Sequence, residues 1–146
     1  HNDVHGYGGE YLKDPYYYIK SGDSARAWMY QCCTEFGWWQ TVSPAHPMRS
    51  KQIDLDFYRQ FCIKAFGEGL WPNVARKNNE YGALEIKAFK LLMSNGDEDP
   101  WKWASLTESR GSVVSRVADC DDCAHCQDLY TPTAGDAPSL KKIRDE

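Results

Sequence analysis

Apolar residues change their spacing several times along the chain, and each change predicts an element. From Ile53 to Phe66 they fall at Leu55, Tyr58, Cys62, Ala65 and Phe66, with Phe57 and Phe61 beside them. That spacing is one stripe of a helix, and Gly67 stands where such a helix stops. Between Arg26 and Thr41 the chain is dense in Trp, Tyr, Phe and Cys. Trp28, Tyr30 and Cys32 alternate with Ala27, Met29 and Gln31, which predicts a buried strand. Ile86 to Met93 is an apolar run entering Ser94-Asn95-Gly96, which predicts a buried strand delivered into a turn. Ser112 to Val117 reads as a further strand and Ser139 to Glu146 as a terminal helix. Pro44 and Pro47 punctuate a loop, and Trp71 to Gly82 reads as a polar connection. Gly6, Gly8, Gly9, Pro15 and the run Tyr16, Tyr17, Tyr18 make residues 1–25 a loop-rich lead-in. No repeat and no linker interrupts residues 26–146, so the chain reads as one unit. Strand, polar turn, strand, polar turn, helix is α/β order, in which functional groups sit on loops at the carboxyl ends of strands.

Composition narrows the function classes. In 146 residues, 42% are hydrophobic and 14% aromatic, which is core material rather than a disordered tail. No apolar run approaches the ~20 residues of a membrane span. Seventeen basic against twenty-one acidic residues give a net charge of −4. That sign offers no electrostatic pull toward nucleic acid or anionic lipid. Six cysteines in so short a chain favour an oxidising compartment. Cys32 and Cys33 are neighbours and should face different ways. Cys62 stands alone, and Cys120, Cys123 and Cys126 crowd together with their pairing open. No apolar leader is visible at His1-Asn2-Asp3, which suggests a processed chain. No Asn-x-Ser/Thr sequon occurs.

Two turns follow the last two predicted strands. One is Asn95-Gly96-Asp97-Glu98-Asp99-Pro100-Trp101, and the other is Asp121-Asp122-Cys123-Ala124-His125-Cys126-Gln127-Asp128-Leu129. An acidic turn and then a histidine turn is the second half of a Ser…Asp…His order, in which Asp orients His and His moves the nucleophile's proton. Spacing alone is a weak signal, because turn acids before proline and solvated loop histidines are common. Asp97 and Glu98 read as solvated, as does the helix face bearing Lys141, Lys142 and Arg144. Zinc has a possible ligand set in Cys120, Cys123, His125 and Cys126, but the spacing is too compressed for paired knuckles. Cys123-Ala124-His125-Cys126 also has the form of a redox pair. Asp121 and Asp122 before it would raise rather than lower a thiol pKa.

The residues carry a resemblance. Trp28-Met29-Tyr30-Gln31-Cys32-Cys33-Thr34-Glu35-Phe36-Gly37 resembles the Trp-x-Tyr-Gln-x-Cys-Thr-Glu segment of the S28 serine peptidases. That family includes lysosomal Pro-Xaa carboxypeptidase, dipeptidyl peptidase II and thymus-specific serine protease. Ser94 to Trp101 is similar to its Ser-Asn-Gly-x-x-Asp-Pro-Trp, and Ala124 to Leu129 to its Ala-His-x-x-Asp-Leu. The resemblance implies the C-terminal part of an α/β-hydrolase fold, not a complete domain alone. It implies Asp99 as orienting acid and His125 as general base. It implies Trp101 on the wall of a pocket that suits proline, with Trp38 from the aromatic stretch and Glu35 as further substrate-binding candidates. A structural role for Glu35 weighs at least as much. It further implies a Cys33–Cys62 disulfide.

The family's Gly-x-Ser-x-Gly nucleophile motif has no match in these residues. The expected partner is therefore an N-terminal segment or chain of the same enzyme carrying the serine, with peptide as substrate and without cofactor or metal. Alone, the chain would be inactive. A secreted or lysosomal setting follows, and a homodimer stays open. The alternatives are an inactive disulfide-bonded homologue and a thiol-disulfide protein using Cys123 and Cys126.

Overall fold

The computed structural model describes residues 10–17, 22 and 24–146. Gly6, Gly8, Gly9 and Tyr18 lie outside the described residues. The chain forms two compact units, His1–Tyr81 and Gly82–Glu146, where the sequence reads as one. The division falls at Gly82, a left-handed residue with φ 89° that ends a polar helix. A break inside a helical stretch without composition shift leaves no linker to read.

In the first unit, helix α1 spans Ala25–Gln31 and runs into a wider helical turn at Cys32–Phe36. The predicted strand is therefore a helix, and the physical reason is which residues are buried. Ala25 and Met29 pack on the core and Cys32 and Cys33 are buried, all at helical spacing. Trp28 and Tyr30, which set the apparent period of two, are exposed. Helix α2 spans Leu55–Phe66 as expected. The Asp54 carboxylate caps it by accepting the Phe57 N–H at 2.9 Å, and Gly67 ends it at φ 97°. Its face buries Phe61, Cys62 and Ala65. Phe61 and Ala65 meet Leu12, which the lead-in supplies from the short 3-10 turn Glu10–Lys13. Cys33 and Cys62 form a disulfide, with Cα atoms 5.7 Å apart. Helix α3, Val74–Tyr81, occupies what the sequence reads as a polar connection. It buries no residue, so it shows no apolar stripe. It rests instead on Asn73 accepting the Arg76 N–H and on Lys77 pairing with Glu35 and Glu80.

The second unit holds the described chain's sheet: two parallel strands, β1 Leu91–Gly96 and β2 Val113–Ala118, in register Leu91↔Val113 through Gly96↔Ala118. The first strand starts five residues later than the apolar run and carries Ser94, Asn95 and Gly96 inside it rather than in a turn. Parallel pairing fits the α/β order. Helix α4, Pro138–Arg144, buries Leu140 and Ile143 against Ala118 and Cys123. No helix among the described residues is long and apolar enough to cross a membrane.

Candidate active site

Strand β1 delivers the acidic turn. Its backbone is tied back to the sheet by Asp97 N–H donating to the Ala118 carbonyl at 2.9 Å. Asp99 then caps the 3-10 turn Pro100–Ala104. The Asp-Pro order explains this locally. Aspartate accepts from a backbone N–H two residues on, and proline needs no partner for an N–H it lacks. One Asp99 oxygen, Oδ1, accepts the Trp101 N–H at 2.8 Å, which fixes the carboxylate plane. The other, Oδ2, lies 2.7 Å from His125 Nδ1. Asp99 is buried, whereas the His125 side chain is 60% exposed. A buried carboxylate that orients an open imidazole through Nδ1 leaves Nε2 as the nitrogen that can take a proton. The Trp101 ring stands beside the imidazole, centroids 6.3 Å apart.

Strand β2 delivers the histidine turn, and the two turns are built against each other. Glu98 N–H donates to the Cys123 carbonyl at 3.1 Å, and the Glu98 carboxylate accepts the Asp122 N–H at 3.1 Å. Asp97 pairs with Lys102 at 2.8 Å. Both acids are exposed, as the sequence reads them, and also make these contacts. Gly96 is the contact point: a β-carbon there would sit 2.7 Å from the Ala124 carbonyl oxygen and closer still to that of Cys123. Ser94 Oγ donates to Asp128 at 2.5 Å, and Asn95 donates to the Leu106 carbonyl. Asp99, His125 and Trp101 come together in this one unit.

The cysteines resolve the open pairings. Cys120 joins Cys123, and Cys32 and Cys126 are free thiols. The Cys123–Cys126 pair that a redox motif requires does not form. Burial, then Asp128 and Asp99, push the Cys126 thiol up, which disfavours the reactive thiolate. Burial alone raises Cys32 to about 11. Among the described residues no group of three or more His, Cys, Asp or Glu side chains could hold a metal ion.

Glu35 and Trp38 lie in the first unit. Glu35 pairs with Lys77 at 3.3 Å, holding α3 to the turn after α1. Trp38 is 45% exposed at φ 60°. Sequence reasoning passed over Ser94, Asp128 and Arg144. The signal was available for the first two, which stand inside the quoted motifs that also hold Asp99 and His125. Arg144 reads as part of a solvated basic face, yet it is only 14% exposed. Its guanidinium donates to the carbonyls of Gln127, Asp128 and Tyr130.

Comparison with known proteins converges on one group. A family model described as serine carboxypeptidase S28 matches residues 11–146. The chain is 36% identical over 112 residues to a probable serine protease, EDA2, of Arabidopsis thaliana, covering 76% of this chain and 23% of that protein. It is 35% identical over 124 residues to the human thymus-specific serine protease, covering 83% of this chain and 24% of the relative. It is 40% identical over 87 residues to a probable extracellular serine carboxypeptidase of Arthroderma benhamiae, covering 57% and 12%. The chain thus spans about a quarter of the length of the first relatives it matches. No solved structure matches.

Proposed function

The chain belongs to the serine carboxypeptidase S28 family, and on that premise we propose that it supplies Asp99 and His125 to the triad of a serine exopeptidase. The nucleophile is a serine on another segment or chain of the same enzyme. The observation that carries this reading is the 2.7 Å contact between a buried Asp99 oxygen and Nδ1 of an open His125.

The steps follow from that geometry. Asp99 holds the imidazole with its proton on Nδ1, so Nε2 accepts the serine proton as Oγ attacks the scissile carbonyl. The imidazolium that forms is stabilised by the Asp99 charge. Nε2 then returns the proton to the leaving amine, and water repeats the sequence on the acyl-enzyme. No cofactor or metal enters. Trp101, against the imidazole, supports an aromatic wall beside the reacting bond, and such a wall suits a proline ring. For Glu35 the ion pair with Lys77 supports the structural role. Two disulfides and a relative named as extracellular support a secreted or lysosomal setting.

The test is fluorophosphonate labelling of the protein expressed from its complete coding sequence, together with hydrolysis of peptides bearing proline before the scissile bond. Wild type should label on a serine outside this chain, and Asp99→Asn should lower kcat by about 10⁴-fold. Absence of label, or His125→Ala with wild-type kcat, overturns the reading.

A further inference from the structure

We propose that Arg144 is a positioning residue for His125, pinning the turn that carries the histidine to the last helix; this rests on His125 being the triad base. Past His125 the turn is tied locally by the Leu129 N–H on the Cys126 carbonyl, the Tyr130 N–H on the Gln127 carbonyl and the Gln127 side chain on the Asp122 carbonyl. Cys126, directly after His125, adopts φ 59°, a left-handed conformation that a non-glycine residue keeps only when its surroundings impose it. The following 3-10 turn, Gln127–Leu129, is three residues long, and none of them is buried.

Arg144 provides the surroundings. From α4 its Nη2 donates to the Gln127 carbonyl at 2.6 Å and the Tyr130 carbonyl at 3.0 Å, and its Nε to the Asp128 carbonyl at 3.1 Å. Nη1 pairs with Asp136, which is itself held by Thr133. The guanidinium thus grips both ends of the turn at once. Only its planar fork has donors spread widely enough for three carbonyls, whereas a lysine carries all its donors on one atom. Leu140 and Ile143 anchor the helix against Ala118 and Cys123, so the grip is referred to the sheet. The Asp128 carboxylate closes the circuit by accepting Ser94 Oγ from β1, the strand that delivers Asp99. Arg144 therefore sets His125 relative to Asp99 without touching either.

The experiment measures kcat and KM per titrated active site in the protein from the complete coding sequence. Arg144→Ala should lower kcat by about 10–100-fold with KM within threefold, because roughly 1 Å of misplacement is enough for such a loss. Arg144→Lys should fall between it and wild type. Lys142→Ala, exposed on the same helix, should match wild type. If Arg144→Ala yields fewer titratable sites but full kcat at each, the residue is a stability clamp only and the proposal fails. If Arg144→Ala does not fold, Ser94→Ala decides: it leaves the guanidinium in place and should lower kcat about 3–10-fold, and an unchanged kcat overturns the proposal. If wild type does not label and His125→Ala is indistinguishable from it, the triad reading falls first and this inference with it.

Discussion

Replacing Gly96 by alanine tests the closest approach in the site. The added methyl would lie 2.7 Å from the Ala124 carbonyl oxygen and 2.8 Å from the Cys123 carbonyl carbon, with the Cys123 oxygen nearer still. Relaxed carbon contacts begin at about 3.5 Å, so the neighbours must retreat by roughly 1 Å. All three atoms are backbone, and they belong to the loop that carries His125. A flexible side chain could swing away; this backbone is tied by the Cys120–Cys123 disulfide and by the Glu98 N–H on the Cys123 carbonyl. Overpacking of this kind costs about 1–3 kcal/mol. The same displacement would open the Asp99–His125 contact, and a shift of that size costs about 100-fold in rate. The assay is kcat per titrated active site together with the urea midpoint of the same preparation. Gly135→Ala is the control, since its nearest neighbour would be 3.8 Å away. A Gly96→Ala protein with kcat within twofold of wild type and an unchanged midpoint would refute the reasoning.

Cys62→Ser should destabilise the protein by about 3–4 kcal/mol, the chain-entropy value for a loop of this size closed by Cys33–Cys62. Urea unfolding checks it, and a loss below about 1 kcal/mol contradicts it. Alkylation of unfolded, unreduced protein should add two labels, on Cys32 and Cys126, and peptide mapping that finds label on Cys120 or Cys123 instead would overturn the pairing. In the native state Cys32 should resist alkylation at neutral pH and Cys126 should react slowly, since both thiols titrate high. Hydrogen bonds from Thr133, then the Arg144 charge, outweigh desolvation and hold Asp136 down at about 2, against an ordinary 3.8. Its stabilising contribution is therefore complete above pH ~4 and lost as pH falls through the folded value. Asp136→Asn should flatten the stability profile between about pH 4 and 2, and an unaltered acid slope would contradict this.

Local signals in the sequence were read correctly where the cause of the structure is local. Gly67 ends α2 as its place after the apolar stripe predicts, because a stop of this kind needs only a positive φ within one turn. The aromatic stretch misled because aromatic residues were counted as core. Trp28 and Tyr30 are exposed, whereas the partly buried Ala25 and Met29 and the buried Cys32 and Cys33 have helical spacing. Helix α3 left no trace because it buries nothing.

For the site, the motif letters were enough to nominate Asp99 and His125, since a short turn of fixed chemistry follows each strand. They could not say that the two side chains meet. That depends on parallel register between β1 and β2, a pairing of residues twenty-two apart in sequence. The recruitment of Glu98 to Asp122 and the hydrogen bonds of Arg144 to the histidine turn are likewise long-range. Residue types and turn chemistry determine what each loop can do. Whether one loop lies within 2.7 Å of another is decided by packing the sheet against the last helix, because hydrogen bonds and hydrophobic burial act between surfaces that meet only after the chain has folded.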